Sequence, residues 1–222
     1  MTDKLFPTGR RTNTLEISHI PELGHLSVLA TLIDAANPFV FVDSTTLPLS
    51  YHTNGPSASS SLALIESLRC VGSVKMGLAR DLLSASLVRG TPKIAVLSTP
   101  LPNMNEIQPA IYVTSFSMGK VHPTLQLTGA VCLGSALCIN GTVAYELSAK
   151  HSLRTPVGTP PSDSESDLVV QEEGERVVRI RHQGGDIDAT VDLKCKRDEV
   201  IVKAVSVSRT ARRLFQGEIL YI

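Results

Sequence analysis

The segment His122-Pro123-Thr124-Leu125-Gln126-Leu127-Thr128-Gly129-Ala130-Val131-Cys132-Leu133-Gly134-Ser135-Ala136-Leu137-Cys138-Ile139-Asn140-Gly141 combines a long apolar run with signals that start and stop a helix. Pro123 stands where the first turn of a helix tolerates proline, and Asn140-Gly141 supplies residues that end one. The segment therefore predicts a helix over 122–139. Its apolar residues fall on nearly every face instead of along one stripe, and a helix of that kind has to be buried. The apolar part, 125–139, is interrupted by Gln126, Thr128 and Ser135, so it is too short and too polar to cross a bilayer. Protein must cover it.

The cover is written on either side. Segments 26–33, 39–42, 93–97, 111–116, 177–181, 187–193 and 200–207 are rich in β-branched residues and predict strands. Arg176, Arg179 and Arg181 interleave with Val177, Val178 and Ile180, as in a strand with a wet side. A second helix is predicted over 63–86. A buried helix among this many strands predicts an α+β fold with sheet around the helix. Two segments read as loops: 44–61, rich in Ser, Thr and Pro, and about 151–173, where Thr-Pro-Val-Gly-Thr-Pro-Pro precedes a Ser/Asp/Glu run without apolar period. The second is expected to be disordered, and a solvated loop accounts for its serines more simply than a phosphorylation role.

The 222 residues suffice for one large or two small domains. Lys plus Arg number 21 against 21 Asp plus Glu, which leaves no overall field to attract nucleic acid or an anionic membrane. A small-molecule partner is the better expectation. The first twenty residues carry no basic segment followed by an apolar core, and Cys70, Cys132, Cys138 and Cys195 form no Cys-x-x-Cys pair. They read as reduced, buried thiols of a cytoplasmic protein. Asn140-Gly141-Thr142 fits a glycosylation acceptor, but it is more simply the turn that closes the helix.

Chemistry concentrates in Ser115-Phe116-Ser117-Met118-Gly119-Lys120-Val121-His122-Pro123, between a predicted strand and the buried helix. A glycine lets the backbone approach a ligand. Helix-start amides, the Lys120 ammonium and a His122 donor could together hold a carboxylate. The plainer alternative is a surface lysine on a helix capped by Ser117 and His122. Within the helix, Thr128-Gly129-Ala130 places a small residue that permits close packing at a cost of about 1 kcal/mol in helix propensity.

The blocks Lys4-Leu5-Phe6-Pro7-Thr8-Gly9, Thr31-Leu32-Ile33-Asp34-Ala35-Ala36-Asn37-Pro38, Val74-Lys75-Met76-Gly77-Leu78, Thr91-Pro92-Lys93-Ile94-Ala95, Ser117-Met118-Gly119-Lys120-Val121-His122 and Ser208-Arg209-Thr210-Ala211-Arg212 follow one another as they do in the PrpF (methylaconitate cis-trans isomerase) family. The chain resembles the C-terminal half of such a protein. That resemblance implies a diaminopimelate-epimerase-like fold, with each half a curved, mostly antiparallel sheet around a central helix and the active site between halves. It implies a domain over 1–210 and a strand at 211–222 that returns to a missing N-terminal half, with Met1 resembling an internal methionine.

By the same resemblance, the activity is proton-transfer isomerisation of 2-methylaconitate or aconitate, with neither metal nor organic cofactor. Methylitaconate-type double-bond shift and oxalomesaconate-type tautomerisation are the enzymatic alternatives. The family's proton-transfer lysine and cysteine belong to the N-terminal half, so no catalytic residue is expected here. The substrate-binding candidates are Lys93, Ser98, Ser117, Met118, Gly119, Lys120 and His122. Lys93 could instead be a solvated strand end. Gln126 stands where related epimerases carry a cysteine, and His182-Gln183-Gly184-Gly185 departs from the family's turn, which puts a ligand role for His182 in doubt. Asn37-Pro38 reads as a structural turn. The expected partners are a tricarboxylate and either the missing half or a second chain. The rival reading is a truncated, non-catalytic protein that binds a carboxylate or a partner chain.

Overall fold

The computed structural model describes residues 5–20, 24–100, 109–152, 173–196 and 199–208. The chain opens with β1 (Asn13–Ile20), β2 (Gly24–Asp34) and β3 (Pro38–Asp43), then α1 (Leu49–Asn54), α2 (Ser59–Lys75) and α3 (Leu82–Leu87). It continues through β4 (Lys93–Ser98), β5 (Ile111–Ser117), β6 (Lys120–His122), α4 (Leu127–Leu137) and α5 (Val143–Ser152). Strands β7 (Gly174–His182), β8 (Gly185–Lys196) and β9 (Glu199–Val207) complete it. All strands join one nine-stranded sheet ordered β1-β2-β3-β4-β5-β7-β8-β9, with β6 paired to β5 off that path. The β3–β4 and β5–β7 pairings are parallel and the others antiparallel, so this is an α+β chain on a large mixed sheet.

Strands β3 and β4 carry apolar residues at successive positions because both of their faces are covered. Alternation along a strand sends Phe39, Phe41, Ala95 and Leu97 to a core shared with α4 and α5. The intervening Val40, Val42, Ile94 and Val96 enter a second core that includes Ile65 and Leu68 of α2. Helix α4 packs against β2 and β3 as well as β7, β8 and β9. Gly129 lies against Phe39, where an added Cβ would stand 2.7 Å from the ring's Cζ. The start of α5 is tied to the sheet by the Val143 N–H, which donates to Thr31 Oγ1 at 2.9 Å.

All seven expected strand segments fall in strands, but the helices need correction. The helix expected over 122–139 starts at Leu127. Lys120–His122 is a strand, because Ser117 pairs with Lys120 around Met118 (φ 52°) and Gly119 (φ 75°). Two successive left-handed residues suit a tight hairpin and not a helix entrance. The helix expected over 63–86 is two: α2 ends at Lys75, and α3 restarts where the Asp81 carboxylate accepts from the Ser84 N–H at 2.8 Å. The expected loop 44–61 contains α1 and the first turn of α2, while β1 and α5 were not anticipated. Of the expected loop 151–173, residues 151–152 close α5 and 173 precedes β7. The rest of that loop, the 209–210 boundary and the terminal segment 211–222 lie outside the described residues.

Candidate functional site

Lys93 opens β4 and Ser117 closes β5. The register pairs Ile94 with Phe116 and Ala95 with Ser115, so Lys93 and Ser117 face one another a step further along. On the other side of β5, Ser117 pairs with Lys120 and Ser115 with His122. Opposed residues in antiparallel strands share a face. Ile94 and Phe116 belong to the core under α2, so alternation turns Lys93, Ser117 and Lys120 to the α4 face. The sheet thus lines up two ammonium groups and a hydroxyl in one row, with Ala95, Ser115 and His122 in the row behind.

Buried polar atoms without partners lie in Ser115, one strand step behind this row, and in Gln126 at the start of α4. Ser115 is 2% exposed and its Oγ has no hydrogen bond; the Gln126 amide likewise has buried, unpartnered Oε1 and Nε2. Gln126 is the residue at which α4 begins, and its side chain does not cap the helix. The first-turn N–H groups of α4 therefore have no side-chain acceptor from that residue, and they form the positive end of the helix dipole. A buried polar atom without a partner costs about 1–3 kcal/mol, so an anion or water that satisfied these groups would be bound favourably.

The other candidates separate. Met118 and Gly119 form the turn, Met118 being 61% exposed. The His122 ring folds back on its own chain, its Nδ1 2.6 Å from the Thr124 carbonyl oxygen. Ser98 lies at the far end of β4, paired with Tyr112; five strand steps of about 3.3 Å carry it roughly 17 Å from Lys93, so it does not join the row. His182 is buried and its Nδ1 accepts from the Gly184 N–H at 2.9 Å, which fixes the β7–β8 turn. Asn37 lies in the turn between β2 and β3, and its carbonyl accepts from the Cys132 thiol at 3.3 Å.

Cys70, Cys132 and Cys138 are buried free thiols, and burial pushes each of them up from the ordinary cysteine value. They are held protonated, which suits packing and not proton abstraction. Among the described residues no group of three or more His, Cys, Asp or Glu could hold a metal. A niche between α2 and the hairpin has room for about one water, at about 10 Å³. A far larger open groove of about 1020 Å³ runs along α4, between the Asp34–Asn37 turn and β9, with Val131, Ser135 and Val202 in its wall. Burial raises the Asp34 carboxyl at its rim. Ser115 opens the stretch singled out in the sequence but is absent from the binding candidates, although its place two residues before Ser117 in one strand was the available signal.

Fold and site together define an α+β chain that presents a cationic row at one end of a large mixed sheet. The chain belongs to the PrpF family, whose model, described as PrpF protein, matches residues 1–222. It is 28% identical to a 2-methyl-aconitate isomerase of Cupriavidus necator, over 96% of this chain and 50% of that protein. It is 26% identical to a protein of the same name in Shewanella oneidensis, over 96% of this chain and 49% of that one. Among solved structures it is similar to a methylitaconate-delta-isomerase, with a TM-score of 0.62 and 25% identity over 97% of this chain and 51% of that one. The chain spans about half the length of the curated relatives it matches. No helix among the described residues is long and apolar enough to cross a membrane.

Proposed function

We propose that the chain is the carboxylate-binding half of a cofactor-independent isomerase of unsaturated tricarboxylic acids such as 2-methylaconitate or aconitate. The observation that carries this reading is the row Lys93, Ser117 and Lys120, with the buried, unpartnered Ser115 hydroxyl one strand step behind it. Removing a proton next to a carboxylate spreads negative charge onto that carboxylate, and fixed cations with an open helix start lower the energy of that state. The named activities of the relatives support the substrate class.

In this reading the sheet curves around α4 as in diaminopimelate epimerase, and the row faces a cleft completed by an N-terminal half or a second chain. Residues 211–222 would serve that contact. The proton-transfer groups come from the other side, in keeping with the protonated, buried thiols here. The setting is cytoplasmic, with neither nucleic acid nor membrane as partner. The same thiols favour a second reading, a carboxylate-binding protein without catalysis.

Calorimetric titration of the purified chain with trans-aconitate tests the proposal. Saturable binding is expected, weakened roughly tenfold to a hundredfold by Lys120→Ala, the range for loss of a charge-assisted hydrogen bond. Titration with methylitaconate asks whether a double-bond-shift substrate fits better. Absence of binding, or affinity indifferent to Lys120, would overturn the site. Little turnover is expected from the chain alone. Turnover at enzymatic rates that is lost in Lys93→Ala or Lys120→Ala would move the chemistry onto this half.

A further inference from the structure

The Lys120 hairpin lies against an arginine that the substrate reading does not use. Arg89 borders the niche formed with Leu62, Ile65 and Glu66 of α2, which Lys93 and Ser117 also line. Its guanidinium fills the place a side chain at 119 would take: a Cβ built on Gly119 would overlap Nη2 and stand 3.3 Å from Cζ. Arg89 Nε lies 3.8 Å from Glu66 Oε1. Glu66 is in turn gripped by Arg69, whose Nε and Nη2 reach its two oxygens at 3.0 and 2.8 Å.

Arg69 is 3% exposed and also donates to the carbonyl oxygens of Ala85, Val88 and Thr91 at 2.8, 3.0 and 3.3 Å. One buried guanidinium therefore holds both the carboxylate that faces Arg89 and the backbone on either side of it. That backbone leads directly into Lys93. The hairpin needs such support, because β6 has three residues and, among the described residues, pairs with β5 alone. A strand so short with one partner is marginal by itself.

We propose that Arg89 is a positioning residue: seated against Gly119 and steadied by Glu66, it braces the hairpin so that Ser117 and Lys120 stay in line with Lys93. The proposal rests on the carboxylate-binding reading of that row. It gives Gly119 a second duty. The positive φ could be met by asparagine, which tolerates the left-handed region, but the seat for Arg89 requires that no side chain be there.

Arg89→Ala, Gly119→Asn and the double variant, made in the full chain, separate these duties. Each single variant should weaken trans-aconitate binding about twofold to fivefold, the range of a half-exposed ionic contact. Each should also speed amide hydrogen exchange over residues 117–122. The double variant should be no worse than the weaker-binding single, since both remove one brace. Effects that multiply, or Gly119→Asn with unchanged affinity and exchange, would overturn the proposal. If the wild-type chain does not bind trans-aconitate, the carboxylate reading fails, and exchange alone decides the brace: unchanged exchange in Arg89→Ala refutes it, and faster exchange sustains it.

Discussion

Gly129 and Phe39 meet where α4 crosses β3, and their contact explains a residue that helix propensity alone disfavours. Alanine at 129 would gain about 1 kcal/mol in propensity. It would also force a methyl to within 2.7 Å of Phe39 Cζ and 2.9 Å of Leu125 Cδ1, both on fully buried side chains. Phe39 is stacked on Phe41 at 5.0 Å, so its ring has little freedom to yield. Overpacking of this kind costs about 1–3 kcal/mol and should win. Urea unfolding of Gly129→Ala is expected to show a net loss of about 1 kcal/mol with unchanged m-value; a more stable variant would contradict this packing. Arg69 makes the converse case. Truncation to alanine strips partners from Glu66 and three carbonyl oxygens, and a loss of about 3–5 kcal/mol is expected in the same measurement.

At the level of elements, the β7–β8 hairpin shows how a strand's wet side is used. Arg179 stands opposite Asp188 and Arg181 opposite Asp186, and the Arg179 pair is bidentate at 2.7 and 2.8 Å. The hydrogen bond from the facing arginine, more than any other influence, holds each aspartate below its ordinary 3.8. The folded state therefore takes up these protons less readily than the unfolded chain. This stabilisation is complete above the ordinary value and disappears as pH falls through the lower folded values. Thermal melts should fall on acidification below about pH 4, and less steeply in Arg179→Ala and Arg181→Ala. Equal slopes in the wild type and both variants would remove these pairs from the acid response. Asp34 acts with the opposite sign, because burial raises it and its ionisation opposes folding. The alternation of arginine with apolar residues in β7 was legible before the partners were known. The β5–β6 hairpin was not, because Met118-Gly119 is a weak turn signal and Pro123 pointed to a helix.

Across the whole molecule, the sheet ends in β1 and β9, each with one partner strand among the described residues. β9 contributes Val200, Val202 and Val205 to the wall of the large groove, beside Ile201 at 41% exposed. A sheet edge that no other described strand covers, next to a groove with apolar residues in its wall, invites association. Light scattering should give a mass that rises with protein concentration, and Ile201→Lys should suppress the rise. A monomer at all concentrations would mean that the chain closes this surface itself.

Elements whose chemistry is local were legible in the amino-acid sequence. β-branched runs became strands because they suit a pleated, covered surface. The apolar stretch ending at Ile139 became a buried helix because no face of it suits water, and six ordered blocks placed the chain in its family. Which of the candidate residues meet depends on the tertiary structure. Lys93 and Ser117 lie far apart in the chain and meet through the β4–β5 register, while Ser98, five residues from Lys93, is carried to the other end of the same strand. Register depends on which face each strand buries and on where the hairpin turns. It is a property of strands in pairs, and no single segment contains it.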